Sequence, residues 1–139
     1  MLYYPHMKIN QVSFGFATNK IQETKEFYEE YLGAKTIFEK EGYVNLQLGD
    51  GSAVLGIETP QDPEGTPSDT TGWGFGITID DVDQAYDEIT DKKLPIEIPL
   101  ADHPWGERGF GIKDPNGLTV YIYEITGEPA EEYKEYVKK

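Results

Sequence analysis

Apolar and polar residues alternate along the first part of the chain, from Lys8 to Ala17. This period of two predicts a strand with one buried face and one open face. The residues on the face expected to be buried are Val12, Phe14 and Phe16. The next stretch, TNKIQETKEFYEEYLG, repeats apolar residues at helical spacing and predicts an amphipathic helix. We expect Asn19 to cap its start, together with Gln22, and Gly33 to end it.

Three further strands complete the first half, and an extended linker follows them. The strands are expected to begin near Lys35, Tyr43 and Ser52. The second and third of them are joined by the sequence GDG, whose residues tolerate positive φ and therefore favour a tight turn. Residues 59–71 contain three prolines and no large apolar residue. Because such a segment cannot order itself by burial, we expect an exposed connection.

The same order of elements is predicted again in the second half. The segment GWGFGITI alternates like the first strand. The residues on its expected buried face are Trp73, Phe75, Ile77 and Ile79. A helix follows, with Asp80 or Asp81 as its cap. The three strands after it are expected to begin near Pro95, Arg108 and Leu118. We expect a short helix within residues 126–139, because acids fall in its first turn and lysines in its last, the arrangement that the helix dipole favours.

The two halves can be aligned with each other. Residues 13–19 match residues 74–80, and residues 50–58 match residues 116–124. The second half is longer by about five residues, which fall around ADHPWGERG. We therefore predict an α+β fold made of a duplicated β-α-β-β-β unit. The expected parts are a first unit at 8–58, a linker at 59–71, a second unit at 72–125 and a C-terminal helical tail at 126–139.

Composition and charge narrow the classes of function. The chain has no cysteine, which excludes disulfides, thiol catalysis and thiolate metal sites. The formal net charge of −14, from 26 acidic and 12 basic residues, argues against nucleic-acid binding. It favours a cationic ligand, or it only keeps the protein soluble and apart from its neighbours. No apolar run approaches the roughly 20 residues of a membrane span, and the N-terminus lacks the pattern of a signal peptide. We therefore expect a cytoplasmic protein without a membrane or nucleic-acid partner.

Two segments carry a family resemblance. The segment HPWGERGFGIKDPNGLTVYIYE is similar to a stretch ending in DPxG, and KEFYEEYLGAK is similar to a helix with the pattern FYxxxLG. Together with the repeated order of elements, this set resembles the vicinal-oxygen-chelate superfamily of glyoxalase I, extradiol dioxygenases and bleomycin-resistance proteins. The sequences of the two segments are most similar to the corresponding motifs of the bleomycin-resistance proteins. The resemblance implies a cupped mixed sheet with helices on its convex side, and a homodimer.

The resemblance also implies where a metal ion would bind. Enzymes of the family hold a divalent metal with ligands from both units, and the matching positions here are Gln11, Leu55, Gly72 and Tyr121. Of these we expect only Gln11 to serve, whereas a metal site needs about three or four converging donors. The two histidines, His6 and His103, do not fall on predicted inward strand positions. We therefore expect no metal and no cofactor. The alternative is a rebuilt site that uses Gln11, His103 and a loop carboxylate.

Strand alternation defines a predicted ligand pocket. If Gln11 and Tyr121 face the hollow of the sheet, every second residue on the same strands faces it too. On the fourth strand these residues are Ala53, Leu55 and Ile57. The residues that we expect to bind a ligand are Gln11, Ser13, Gly74, Gly76, Trp105, Arg108, Phe110, Tyr121 and Tyr123. No catalytic residue is predicted.

Several of these residues have a structural alternative. The strand glycines would let a ligand approach the backbone, or would be covered by bulky neighbours. Trp105 and Phe110 would join the tyrosines in an aromatic wall that stacks on a ring or a cation, or would fill the core. Arg108 would pair with Glu107 or reach an acidic group of the ligand.

Three functions follow from these observations and stay open at the level of sequence. The first is a metal-free protein that binds and sequesters a small aromatic or cationic molecule, as the bleomycin-resistance resemblance implies. The second is a lyase, isomerase or dioxygenase with a rebuilt metal site. The third is an interaction domain whose hollow is filled by its own side chains.

Overall fold

A computed structural model describes residues 7–138, which form two compact units divided between Asp69 and Thr70. His6, considered above as a metal ligand, lies outside the described residues. Each unit runs strand, helix and three strands, so the predicted α+β class and the β-α-β-β-β duplication are confirmed. Each unit has its own four-stranded mixed sheet.

The first unit has a sheet covered on one face by a helix. Its elements are β1 (Val12–Ala17), α1 (Ile21–Leu32), β2 (Lys35–Lys40), β3 (Tyr43–Leu48) and β4 (Ala53–Glu58). The strand order is β1-β4-β3-β2, in which β1 is parallel to β4 and the other neighbours are antiparallel. α1 packs against β2 and β3. The fully buried side chains of this core include Tyr28, Leu46, Leu55 and Ile57.

The two ends of α1 are formed differently. Gly33 ends the helix as predicted, with a φ of 63° and an N–H that donates to the Tyr28 carbonyl. The predicted start is wrong, because Lys20 holds the cap position and no side chain caps the helix. The Asn19 side chain donates instead to the Gly65 carbonyl at 3.2 Å. Asn19 therefore fixes the loop after β4.

The second unit repeats this plan. Its elements are β5 (Gly74–Thr78), α2 (Val82–Asp91), β6 (Ile98–His103), β7 (Glu107–Lys113), β8 (Thr119–Ile125) and a 3₁₀ helix (Glu131–Tyr136). The strand order is β5-β8-β7-β6, with β5 parallel to β8. The Asp81 side chain caps α2 by accepting from the Gln84 N–H at 3.1 Å, as predicted. Within the described residues, no helix is both long enough and apolar enough to cross a membrane.

The hairpin between β6 and β7 takes up the extra residues of the second unit. Within the segment ADHPWGERG, His103 ends β6 and Glu107 begins β7. The two residues pair with each other across the hairpin, so only residues 104–106 turn. His103 is therefore placed on a strand, contrary to the prediction.

Trp73 is not a core residue. It is 64% exposed, which contradicts its predicted place beside Phe75 in the core. The preceding Gly72 has a φ of 77°, and β5 begins only at Gly74. Because the chain is not extended before Gly74, the alternation of β5 does not continue back to Trp73.

Candidate functional site

Both tyrosines that were predicted to bind a ligand, Tyr121 and Tyr123, lie on the face of the second sheet that α2 does not cover. Cross-strand partners point to the same side of a sheet, and Gly76 pairs with Tyr121 while Thr78 pairs with Tyr123. A cleft of about 530 Å³ lies on this face. We call it the aromatic cleft; its lining residues are Trp105, Gly106, Glu107, Tyr121, Tyr123, Ile125, Gly127 and Pro129.

Tyr121 and Tyr123 lie flat against the sheet because glycines leave room beneath them. Their rings stack with centroids 5.3 Å apart and an interplanar angle of 27°. A Cβ added to Gly109 would come within 2.6 Å of the Tyr121 hydroxyl oxygen, and one added to Gly76 would lie 3.1 Å from the Tyr123 ring. The space above Gly74 is likewise taken by Thr119 of β8. These glycines therefore accommodate β8, which was the structural alternative at Gly74 and Gly76.

Trp105 stands in the turn between β6 and β7 and is 48% exposed. Its ring stacks on His103, with centroids 4.7 Å apart and an interplanar angle of 8°. The Tyr133 ring meets it in a T-shaped contact at 6.1 Å. The indole N–H donates to the Glu107 carboxylate. The indole is thus held from three directions while half of its surface faces solvent.

The segment after β8 forms one wall of the aromatic cleft through Gly127 and Pro129. Its backbone is fixed to the β6–β7 turn, because Thr126 N–H donates to the Gly106 carbonyl at 2.9 Å and Ala130 N–H donates to the Pro104 carbonyl at 2.7 Å. Sequence reasoning assigned no site residue to this segment. The nearest signal was the presence of a glycine and a proline, both typical of turns and loops, directly after a strand.

The Tyr121 phenol has a raised pKa. Burial is the main cause, since a partly desolvated phenol resists ionisation. The negative charge of Glu107 and the neighbouring Tyr123 raise the pKa further. At neutral pH, Tyr121 therefore presents a neutral hydroxyl to the cleft.

Arg108 and Phe110 lie on the other face of the sheet, which corrects their assignment to the ligand site. Successive residues of a strand point to opposite faces, so these two point away from Gly109 and toward α2. Arg108 forms an ion pair with Asp83 of α2 at 2.9 Å. Phe110 is completely buried and meets the Tyr86 ring of α2 at 5.2 Å.

The two other predicted site residues, Gln11 and Ser13, belong to the first unit. They line a cleft of about 560 Å³ on the uncovered face of its sheet. We call it the polar cleft; its lining residues are Gln11, Ser13, Phe14, Gly15, Phe16, Ala17, Tyr43, Asn45, Val54, Gly56, Glu58 and Ser68. Sequence reasoning missed Tyr43, Asn45 and Ser68.

The pairing of β1 with β4 corrects the predicted face of β4. Gly15 pairs with Gly56, and Ala17 pairs with Glu58, so Gly56 and Glu58 share the uncovered face. Leu55 was expected there but is fully buried on the opposite face. The alignment of the two halves is therefore shifted by one residue at this strand. Glu58 is therefore the counterpart of Tyr123. Glu124 points toward α2, since its carboxylate accepts from the Val82 N–H of α2 at 3.1 Å.

The metal ligands implied by the family resemblance do not fit these residues. The Gln11 amide donates to a backbone carbonyl at 2.7 Å, Gly72 has no side chain, and Leu55 is buried. The position equivalent to Tyr121 in the first unit is Gly56, which offers no donor atom either. Among the described residues, no group of three or more His, Asp or Glu side chains is arranged to hold a metal ion.

The family model for the Glyoxalase/Bleomycin resistance protein/Dioxygenase superfamily matches residues 8–122. The comparison with curated protein sequences gives no match.

Solved structures with the same fold include both binding proteins and enzymes. TnmS3, an antibiotic binding protein from Streptomyces sp. CB03234, is 21% identical, with a TM-score of 0.72 over 87% of this chain and 100% of its own. TioX from Micromonospora sp. ML1 is 18% identical, with a TM-score of 0.67 over 83% of this chain and 98% of its own. Lactoylglutathione lyase from Agrobacterium tumefaciens is 18% identical, with a TM-score of 0.66 over 86% of this chain and 94% of its own. At these identities the similarity shows a shared fold.

Proposed function

Since the chain belongs to the Glyoxalase/Bleomycin resistance protein/Dioxygenase superfamily, we propose that it binds and sequesters a small planar aromatic cation in the aromatic cleft, without a metal ion. The proposal rests on one observation, which is that two pairs of stacked rings lie beside one carboxylate. His103 stacks on Trp105, Tyr121 stacks on Tyr123, and Glu107 lies in the same cleft.

The chemistry of the cleft favours a flat ligand with positive charge. Aromatic faces carry a negative quadrupole, so they attract cations as well as other rings. The Glu107 carboxylate adds a full negative charge to the cleft wall. The net charge of −14 attracts cations toward the protein surface in general. These effects act together on an aromatic cation and oppose each other on an aromatic anion.

The structural neighbours are consistent with a binding role. TnmS3 is an antibiotic binding protein, so this fold supports the capture of a small molecule. A metal-dependent lyase or dioxygenase of the same family would need converging donor side chains. Because the four implied positions do not supply them, we favour binding over catalysis.

The proposal is tested with proflavine, a planar aromatic cation, in a fluorescence titration and a thermal melt. Proflavine is expected to bind and to raise the melting temperature, because a ligand that binds only the folded state stabilises it. Trp105→Ala should weaken binding about fivefold or more, since a cation–π contact is lost. Trp73→Ala is the matched control, because it removes an exposed tryptophan that does not line the cleft.

Tyr121→Phe separates the ring from the hydroxyl. Because the ring remains, this variant should bind proflavine nearly as well as the parent protein. Equal affinity in the parent, Trp105→Ala and Trp73→Ala would contradict the proposal. Fluorescein, a planar anion, should bind weakly or not at all. Stoichiometric metal after purification without chelator, with metal-dependent turnover, would favour the enzyme instead.

We also propose that the protein is a cytoplasmic homodimer, as the family resemblance implies. The exposed apolar side chains include Val12, Phe38, Trp73 and Ile125, which a subunit contact would cover. Sedimentation equilibrium of the full chain measures the mass directly. A single species with the mass of one chain at micromolar concentration would contradict the dimer.

A further inference from the structure

The polar cleft of the first unit holds hydrogen-bonding groups that the proposed function does not use. Its chemistry differs from that of the aromatic cleft, although the two clefts occupy equivalent faces of the repeated unit. The lining contains one carboxylate and no basic side chain. An anionic ligand is therefore disfavoured there, and a cationic one is favoured.

Glu58 supplies the charge of this cleft. Its backbone lies at the end of β4, and the pairing of β4 with β1 directs its side chain into the cleft beside Ala17. The side chain is half-buried, and its carboxylate has no hydrogen bond or ion pair with any of residues 7–138. A half-buried carboxylate without a partner is stabilised most by an ammonium group, because the opposite charges of the two groups strengthen the hydrogen bond between them.

Tyr43 and Asn45 provide neutral hydrogen-bonding groups on the neighbouring strand. β3 pairs Tyr43 with Glu58 and Asn45 with Gly56, so all four share one face. A Cβ added to Gly56 would lie 3.3 Å from both the Asn45 Oδ1 and the Tyr43 hydroxyl oxygen. The two polar tips therefore converge over a residue without a side chain. Neither side chain has a hydrogen bond within the described chain.

Ser68 completes the rim of the cleft from the segment after β4. Its hydroxyl oxygen accepts from the Ala17 N–H at 2.9 Å, and its own N–H donates to the Ala17 carbonyl at 2.9 Å. These bonds fix Ser68 beside β1 and leave its hydroxyl proton available to a ligand. Ser13 adds a second hydroxyl on the same face.

We infer that the polar cleft is a second binding site, specific for a polyhydroxylated amine. Glu58 would accept hydrogen bonds from the ammonium group. Asn45, Tyr43 and the two serines would exchange hydrogen bonds with the hydroxyl groups, since an amide and a hydroxyl can each donate and accept. The inference does not rest on the proposed function, because the residues of this cleft and those of the aromatic cleft are different.

The test uses glucamine, with sorbitol and n-butylamine as matched probes. Sorbitol replaces the amine by a hydroxyl, and n-butylamine keeps the amine without hydroxyls. Each is titrated into ¹⁵N-labelled full chain at neutral pH and about 0.15 M salt, so that non-specific attraction is screened. Glucamine is expected to shift the amide signals of Gly15, Gly56 and Glu58 in a saturable manner. It should bind about fivefold or more tightly than either matched probe.

Variants assign the binding to the cleft. Glu58→Gln should weaken glucamine binding about tenfold and leave sorbitol unchanged, because only the ammonium contact is lost. Glu41→Gln removes an exposed acid outside the cleft and should change neither. Asn45→Ala should weaken both glucamine and sorbitol. Amide spectra of each variant show whether it is folded before titration.

Three outcomes would overturn the inference. The first is a set of glucamine shifts spread over the acidic surface without saturation. The second is equal binding of glucamine and n-butylamine. The third is equal glucamine affinity in Glu58→Gln and Glu41→Gln. The Trp105→Ala variant should bind glucamine like the parent, so a failure of the proflavine test and a failure of this test can be told apart.

Discussion

At the scale of single residues, glycines decide where the aromatic side chains of the second unit lie. Tyr121 covers Gly109, and Tyr123 lies against Gly76. The sequence indicates that either a ligand or a bulky neighbour approaches Gly76 closely. It does not show what approaches, because that depends on the rotamers of a neighbouring strand. Gly109 was not predicted as a second such place.

Gly109→Ala is expected to reduce the free energy of unfolding by about 1 to 3 kcal/mol, as overpacking typically does. The added Cβ would fall 2.7 Å from the Tyr123 Cβ, which cannot move without the β8 backbone. Urea denaturation followed by circular dichroism measures the change.

Gly56→Ala is the comparison for this substitution. Its added Cβ would meet only the flexible tips of Asn45 and Tyr43, at 3.3 Å. Its loss of stability should therefore be smaller than that of Gly109→Ala. Equal losses would show that the room under Tyr121 and Tyr123 is not what requires glycine at position 109.

Glu107→Gln should lower the pKa of Tyr121, because it removes the nearby negative charge. The pKa should stay above the ordinary tyrosine value of about 10, since burial is the larger cause and remains. A raised pKa keeps the folded state protonated after the unfolded state has lost its proton, so stability falls as the pH rises past about 10. This alkaline loss should be smaller in the variant.

The measurement is a pH titration of the assigned Tyr121 ring carbon by NMR, with urea melts at matched pH. Glu41→Gln, which changes an exposed acid outside the cleft, should leave the Tyr121 titration unaltered. An identical titration in Glu107→Gln would show that the carboxylate does not act on the phenol.

At the scale of elements, the order and type of the strands and helices follow from local periodicity, and they are confirmed. Periodicity could not show which residues of β4 lie on which face of the sheet. Its sequence, AVLGIE, places apolar residues on both faces, so Val54 and Leu55 are equally good candidates for the core. Hydrogen-bond pairing with β1 places Leu55 on the face opposite Gly56 and Glu58, although Val54 and Leu55 are both buried. This choice of face depends on a strand about 40 residues away.

Local sequence patterns predict part of the aromatic cleft, but contacts between distant segments form the rest. Tyr121 and Tyr123 follow from the alternation of β8, and Trp105 follows from its place in a turn flanked by proline and glycine. Gly127 and Pro129 line the cleft only because their segment is hydrogen-bonded to that turn. Such contacts between distant segments leave no periodic pattern in the sequence.

At the scale of the whole molecule, the charge of −14 is the dominant electrostatic property. More than half of the acidic charge is unbalanced, because the chain has 12 Lys and Arg residues against 26 Asp and Glu residues. Mutual repulsion of excess like charges destabilises a compact state, and dissolved salt screens it. Salt should therefore stabilise this protein.

The melting temperature is expected to rise by about 2 to 5 °C when sodium chloride is raised from low millimolar to about 0.3 M. Calorimetry at matched pH measures the shift. A variant in which the exposed residues Glu41, Asp87 and Glu135 are replaced by lysine should show a smaller rise. The same rise in both proteins would mean that the salt effect does not come from net charge.

Once the alignment of the two halves is corrected by one residue at β4, the Glu58 carboxylate and the Tyr123 phenol occupy the same position in the two repeated units. Glu58 and Tyr123 therefore stand on equivalent backbone positions of the two units. Their surroundings differ, because Tyr123 pairs with Gly109 whereas Glu58 pairs with Tyr43. A duplicated chain of this kind can acquire a new ligand preference in one copy while the other copy keeps the old one.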